Sequence, residues 1–146
     1  MTSAMCINFN LGGNLLLVPK FDVEQIVTII EEMKPTSFPG VPTMYVALVE
    51  YYKYKKFNLS SLVLCSSGSA PLPPKVLDRF NEISGTTVAE GYGLSEASPV
   101  THRNPVEGWQ KNGSRGIPIQ NTDTKIVEIS TGEQTLSYGE VGEPVI

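Results

Sequence analysis

Apolar side chains recur along residues 14–89 in short blocks of two kinds. Some are continuous runs, the mark of a buried strand; others repeat every three or four residues, the mark of a helix with one buried face. NLLLVP at residues 14–19 is of the first kind and predicts a buried strand. The next block is of the second kind. Val23, Ile26, Val27 and Ile30 share one helical stripe, and Glu31 and Glu32 fall outside it. Asp22 is placed to cap this helix, Gln25 to close a capping box, and Phe21 to staple onto Ile26. Pro35 disfavours helical torsions before it, which predicts a stop at Lys34.

The alternation continues. TSFPGVP at 36–42 predicts a short strand and loop, and Pro42 suits the first turn of a helix from Thr43 to about Lys55. That helix carries Met44, Tyr45, Leu48, Tyr51 and Tyr52 as its core stripe. LVLC at 62–65 predicts a strand that breaks at Ser66 into a small-residue loop, and a helix starts near Pro73. Val76, Leu77, Phe80 and Ile83 face inward on it, and Gly85 suits its C-cap. TTVA at 86–89 is a further strand, and it delivers EGYGLSE at 90–96. Residues 97–123 are rich in Gly, Pro and Asn and predict a loop with one short strand. TKIVEI at 124–129 is a strand, followed by two hairpin turns and a last short strand.

Strands alternating with helices predict an α/β fold, a mostly parallel sheet with helices on its faces and right-handed crossovers. Two units are expected: the α/β part at 1–122, and a β-hairpin segment at 123–146 that breaks off within an apolar run at Ile146.

Composition narrows the function. The chain has 146 residues, with 11 basic and 15 acidic side chains for a net charge of −4. That balance argues against an electrostatic footprint for nucleic acid, and Lys53, Lys55 and Lys56 read as a solvated helix end. Cys6 and Cys65 are far apart, and Cys65 sits in an apolar run, so a buried free thiol is expected. His102 is the only histidine, which makes a protein-built metal centre improbable. The first 20 residues lack a basic n-region, and Asn8, Asn10, Gly12 and Gly13 interrupt their apolar residues. They suit neither a signal peptide nor a membrane span.

Two stretches carry candidate chemistry. Open α/β sheets bind ligands outside the carboxyl ends of their strands, where EGYGLSE is expected. Gly91 and Gly93 allow close backbone approach, and Tyr92 offers a flat face on which a base stacks. The Ser95 hydroxyl can bond a phosphate oxygen, and Glu96 can ligate magnesium bridging phosphates. A tight turn after a core strand with a buried tyrosine accounts for these residues equally well. In the loop at 66–71, small side chains leave backbone groups reachable, which suits the edge of a purine. As a phosphate cradle it is weak, since it lacks the lysine of GxxxxGK[ST].

Taken together, the motifs resemble the adenylate-forming acyl-CoA synthetase family, which includes luciferases and peptide-synthetase adenylation domains. SSGSAPLP resembles that family's SGGAPL loop, which lies against adenine. EGYGLSEASPVTHRNP resembles its YGLTE motif, with flanks like those of bacterial long-chain fatty-acid CoA ligases. PGVPTMYVAL, GSRGIPIQNTDTKIVE and YGEVGEPVI resemble further family segments in the family's order. The resemblance implies activation of a fatty acid with ATP to an acyl-adenylate, then transfer to coenzyme A. It implies that Gly68, Ser69, Ala70, Pro71, Gly91, Tyr92, Gly93, Leu94 and Ser95 bind the nucleotide, with Ser95 on the α-phosphate and Glu96 on Mg2+. Ser95 and Glu96 are then the catalytic candidates; for Glu90 and His102 scaffold hydrogen bonding is preferred.

Ser95 stands where the family usually has threonine, and Pro144 where it has an aliphatic residue. The family's phosphate loop with its lysine, its ribose-binding aspartate and its C-terminal domain with the catalytic lysine are not found. The chain therefore corresponds to the interior of a longer enzyme, one subdomain of its large N-terminal domain, and is expected to be inactive alone. A non-catalytic nucleotide-binding module and a peptide-synthetase adenylation domain are the alternatives. The implied location is cytoplasmic, with peripheral membrane contact open for the full-length enzyme.

Overall fold

The computed structural model describes residues 2–106 and 108–146; Met1, and Glu107 within the predicted loop 97–123, lie outside the described residues. The helices are α1 (Ile7–Asn10), α2 (Val23–Met33), α3 (Pro42–Tyr54) and α4 (Pro74–Ser84). The strands are β1 (Ser37–Gly40), β2 (Leu64–Ser67), β3 (Val88–Gly93), β4 (Val100–Arg103), β5 (Ile117–Pro118), β6 (Lys125–Val127) and β7 (Glu143–Val145). Strands β1 to β5 form one sheet in chain order, and β6 and β7 form a second. The α/β expectation holds, with parallel pairing confined to β1–β2–β3. From β3 onward the pairs are antiparallel.

Local chemistry accounts for the helix ends. The Asp22 carboxylate accepts the Gln25 N–H at 3.0 Å, and Lys34 closes α2 in the left-handed region at φ 49°. Pro42 starts α3, where its missing N–H costs nothing. Gly85 ends α4 at φ 72°. The helices bury one face each against the parallel strands. Ile26, Val27 and Ile30 of α2, Tyr45 and Leu48 of α3, and Leu77 and Phe80 of α4 join Cys65 and Val88 in one core.

An aromatic column runs through that core. The Tyr45 ring meets Phe38 edge-on at 5.6 Å and Phe80 at 4.9 Å between centroids, geometry that adds to simple burial. The Tyr45 hydroxyl lies 3.0 Å from the Phe38 carbonyl and 2.8 Å from the Ser66 carbonyl, so one side chain spans β1 and β2. Cys65 is a free, buried thiol, as expected, and burial pushes it up from 9.0 to about 12.

Four expectations need correction. Residues 14–19 form no strand; Leu17 is 80% exposed, and residues 14–18 wall a groove together with α2 and β1 without pairing to the edge strand. An apolar run becomes a strand only where a neighbour takes its backbone groups. Strand β2 is shifted, taking in Ser66 and Ser67 that were expected to open the loop. Its start is set by Val63 and Leu64, whose N–H groups both donate to the Thr36 carbonyl. Strand β3 runs on through Gly93 instead of ending at Ala89, because β4 turns back to pair with it. For the same reason residues 97–123 hold two short strands, β4 and β5, where one was expected. Among the described residues no helix is long and apolar enough to cross a membrane.

Candidate functional site

Parallel pairing sets the ends of β2 and β3 side by side, with Ser67 opposite Glu90. The chain leaves β2 at Gly68, whose N–H donates to the Gly40 carbonyl at 3.4 Å. No atom lies within 4 Å of where a Gly68 Cβ would stand, so this backbone faces open space. Ser69 takes left-handed torsions at φ 70°, and Ser69, Ala70 and Pro71 are exposed. Leu72 then drops into the core, and its N–H donates to the Glu90 carboxylate at 3.1 Å. Residues 68–71 are thus a short exposed bridge anchored at both ends.

At Glu90 the pairing of β3 changes. Up to that residue β3 pairs with β2; beyond it Gly91 lies opposite Arg103, Tyr92 opposite His102 and Gly93 opposite Val100. The Glu90 carbonyl accepts the Asn104 N–H at 2.9 Å. Gly91 and Gly93 therefore sit in a strand, not in the loop that the motif suggested. Gly93 is required there, since a Cβ would lie 1.8 Å from the Pro99 oxygen. Gly91 is not, because its nearest neighbour, the His102 oxygen, would be an ordinary 3.5 Å away.

Tyr92 is half-buried, its ring 6.2 Å from that of His102 and with the Arg115 guanidinium carbon 5.9 Å from its centroid. Past β3, the Leu94 N–H donates to the Pro99 carbonyl at 2.7 Å and opens a 3-10 turn at Ser95–Ala97. Ser95 and Glu96 are both exposed on that turn. His102 holds Thr101 Oγ1 at 3.0 Å and Thr124 Oγ1 at 3.4 Å through its two ring nitrogens. Both Glu90 and His102 thus make scaffold hydrogen bonds.

Two residues at this edge, Asn104 and Gly116, were not singled out by the sequence. Buried Asn104 donates from Nδ2 to the Ser114 carbonyl at 2.8 Å. Gly116 (φ 87°) packs where a Cβ would stand 2.0 Å from the Arg103 carbonyl carbon. Between these fixed points Arg115 is set beside Tyr92. The GSRG turn signal is visible in the sequence, but its contact with β4 is not.

Among the described residues no three His, Cys, Asp or Glu side chains cluster as a metal site. Glu96 offers one exposed carboxylate. That donor set does not suit a cage of protein ligands, but it does suit magnesium shared with substrate phosphates, which keeps waters and needs only one or two carboxylates.

The small-residue bridge 68–71 leaves β2 beside β3, which carries Tyr92 and runs into the turn that exposes Ser95 and Glu96, at the strand ends where open α/β sheets bind ligands. The AMP-binding enzyme family model matches residues 1–146, and the chain belongs to that family. It is 44% identical over 146 residues to the long-chain-fatty-acid–CoA ligase of Bacillus subtilis, covering 100% of this chain and 26% of that protein. It is 31% identical to 4-coumarate–CoA ligase 1 of Arabidopsis thaliana, covering 98% and 26%. Among solved structures, the anthranilate CoA ligase AuaEII in complex with anthranoyl-AMP superposes with a TM-score of 0.87 at 28% identity, covering 97% of this chain and 27% of that one. The chain spans about a quarter of the length of the curated relatives it matches.

Proposed function

We propose that this chain is the nucleotide-facing part of an ATP-dependent fatty-acyl-CoA ligase with long-chain fatty acids as substrates. A fatty-acid carboxylate attacks the α-phosphorus of ATP, the bond to pyrophosphate breaks, and acyl-adenylate forms. Coenzyme A thiolate then attacks the acyl carbon and AMP leaves. Adenylation is needed because a carboxylate is itself a poor acyl donor. The observation that carries this reading is the adjacency of Ser67 and Glu90, which starts the two motif stretches at neighbouring points of one sheet edge.

Each residue has a role in that scheme. Gly68, Ser69, Ala70 and Pro71 line the adenine edge with reachable backbone, and Tyr92 supplies the stacking face. Gly91, Gly93 and Leu94 carry backbone past the acyl-phosphate junction. Ser95 donates its hydroxyl to an α-phosphate oxygen, and the Glu96 carboxylate would hold Mg2+. When bound, the metal neutralises charge building on the phosphate oxygens. The identity to the Bacillus subtilis ligase favours a fatty acid over an aromatic acid, and an anthranoyl-AMP complex among the structural relatives favours a nucleotide at this edge.

Two measurements test the reading. In an NMR titration of the chain with AMP, shifts should centre on residues 68–71 and 91–95. Tyr92→Ala should weaken binding by the stacking contribution, about 1–3 kcal/mol; equal affinity of both forms would remove the tyrosine from the site. Substituting the chain for the matching quarter of the Bacillus subtilis ligase should yield a chimera that makes palmitoyl-CoA from palmitate, ATP and coenzyme A. A folded chimera that leaves palmitate unconsumed would overturn the assignment.

A further inference from the structure

We infer that Glu90 is a positioning residue for the nucleotide: its carboxylate clips the bridge 68–71 to the end of β3 through the Leu72 N–H. The inference rests on the nucleotide reading of this edge. Glu90 is 6% exposed, an uncommon place for a carboxylate, and its Oε1 accepts the Leu72 N–H at 3.1 Å. It is also where β3 exchanges its parallel partner for an antiparallel one. Its neighbour on β2 is Ser67, and its own carbonyl takes the Asn104 N–H at 2.9 Å. Two other stretches of the chain, 67–72 and the start of the loop at Asn104, thus converge on one residue.

The bridge needs such an anchor. A Cβ on Gly68 would meet nothing within 4 Å, Ser69 is left-handed, and Ser69, Ala70 and Pro71 are exposed, so few side-chain contacts fix their path. The fixed points are the ladder before Gly68 and buried Leu72 after Pro71. A buried N–H left without an acceptor is costly, so the Leu72 amide follows the Glu90 oxygen. A nucleotide edge read by backbone groups depends on where those groups stand, and Glu90 sets that while touching no ligand itself. The hydrogen bond needs an acceptor at the right reach. It does not need a charge.

Two conservative variants separate reach from charge. Glu90→Gln keeps an oxygen at the same distance and removes the charge; Glu90→Asp keeps the charge and withdraws the oxygens by about one C–C bond. Hydrogen exchange of the Leu72 amide and AMP affinity are measured by NMR on both, with protection of Val88 and Ala89 reporting an intact sheet. Glu90→Gln should hold Leu72 protection and bind AMP within about twofold of the parent, whereas Glu90→Asp should lose that protection and bind about tenfold more weakly. The reverse order, or parental AMP affinity in Glu90→Asp, would overturn the inference. A parent chain showing no AMP-dependent shifts would overturn the nucleotide reading and this inference with it. Leu72 exchange in the two variants would then distinguish that failure from failure of the clip alone.

Discussion

The chain up to Glu90 and the chain beyond it are held together by different means. The first part buries large apolar side chains: Tyr45, Leu48, Leu59 and Phe80 are all within 1% of full burial, and three helices cover one parallel sheet. The second part buries Val127, Thr101 and Asn104 and leaves much of its apolar surface in solvent, including Ile117, Ile129 and Val141. What orders it is backbone fit. Gly93 lies against Pro99, Gly116 against Arg103 and Gly142 against Val127, each closer than any side chain would permit. Asn104, Ser114 and Thr101 add polar ties between short strands. The contrast teaches that the candidate site sits on a seam, with a rigid apolar frame on one side and a glycine-fitted ribbon on the other.

The largest effect expected from this contrast is at Phe80. Its ring is fully buried and closes the aromatic column against Tyr45, so Phe80→Ala should cost about 3–5 kcal/mol, much of an ordinary domain's stability. Val127→Ala trims the fully buried side chain at the end of β6 and should open β6 and β7 while α4 amides stay protected. Urea unfolding with hydrogen exchange checks both. If Val127→Ala unfolds the helices as fully as Phe80→Ala does, the two parts are one cooperative unit and the contrast is wrong.

The same contrast governs what could be read in advance. The helices were legible because Asp22, Lys34–Pro35, Pro42 and Gly85 act locally, within a turn of their effect. Most helix side chains facing the core followed from spacing, although buried Val49 of α3 fell outside the expected stripe. Strands were less legible, since a strand exists only through its partner. Residues 14–19 have the composition of a strand and no paired strand, whereas Ile117–Pro118 have little of that composition and pair with β4. At the site, the types and order of Tyr92, Ser95 and Glu96 were visible, but the purpose of Gly93 was not. That glycine reads as a loop residue and serves a close backbone approach. The role of Glu90 as acceptor for Leu72 joins residues 18 apart and has no local signature.

A smaller effect, confined to the apolar part, follows from its buried acids. Burial raises Cys65 from 9.0 to about 12 and raises the Tyr45 phenol as well, with Cys65 adding to the latter. Both groups are neutral in the folded chain where they would ionise in the unfolded one. The Cys65 contribution is fully present below pH 9 and is lost as pH rises toward 12, and that of Tyr45 starts to fall only above pH 10. Stability should therefore fall across that window, and Cys65→Ala should flatten part of the fall. An unchanged slope in Cys65→Ala, read from urea midpoints at stepped pH, would mean that the thiol ionises freely and that the core is open to water. Exposed Cys6 is the internal control, and should react with iodoacetamide long before Cys65.

The finest distinction is between two glycines on either side of the seam. Gly116 has a left-handed φ of 87°, and a Cβ there would stand 2.0 Å from the Arg103 carbonyl carbon. Gly116→Ala must therefore push β5 off β4, at a cost of about 1–3 kcal/mol or more. Loss of protection at the Ile119 N–H, which donates to the Thr101 carbonyl at 2.9 Å, reports the separation. Gly68 has neither constraint, since its φ is ordinary and nothing lies within 4 Å of the added methyl. Gly68→Ala should leave the urea midpoint within about 0.5 kcal/mol of the parent, the range of an unconstrained surface change. The methyl would instead project into the space through which a nucleotide edge reaches the backbone, so AMP affinity should fall while stability holds. Loss of stability without loss of affinity would show that Gly68 is there for the fold, and would move the adenine edge away from this bridge.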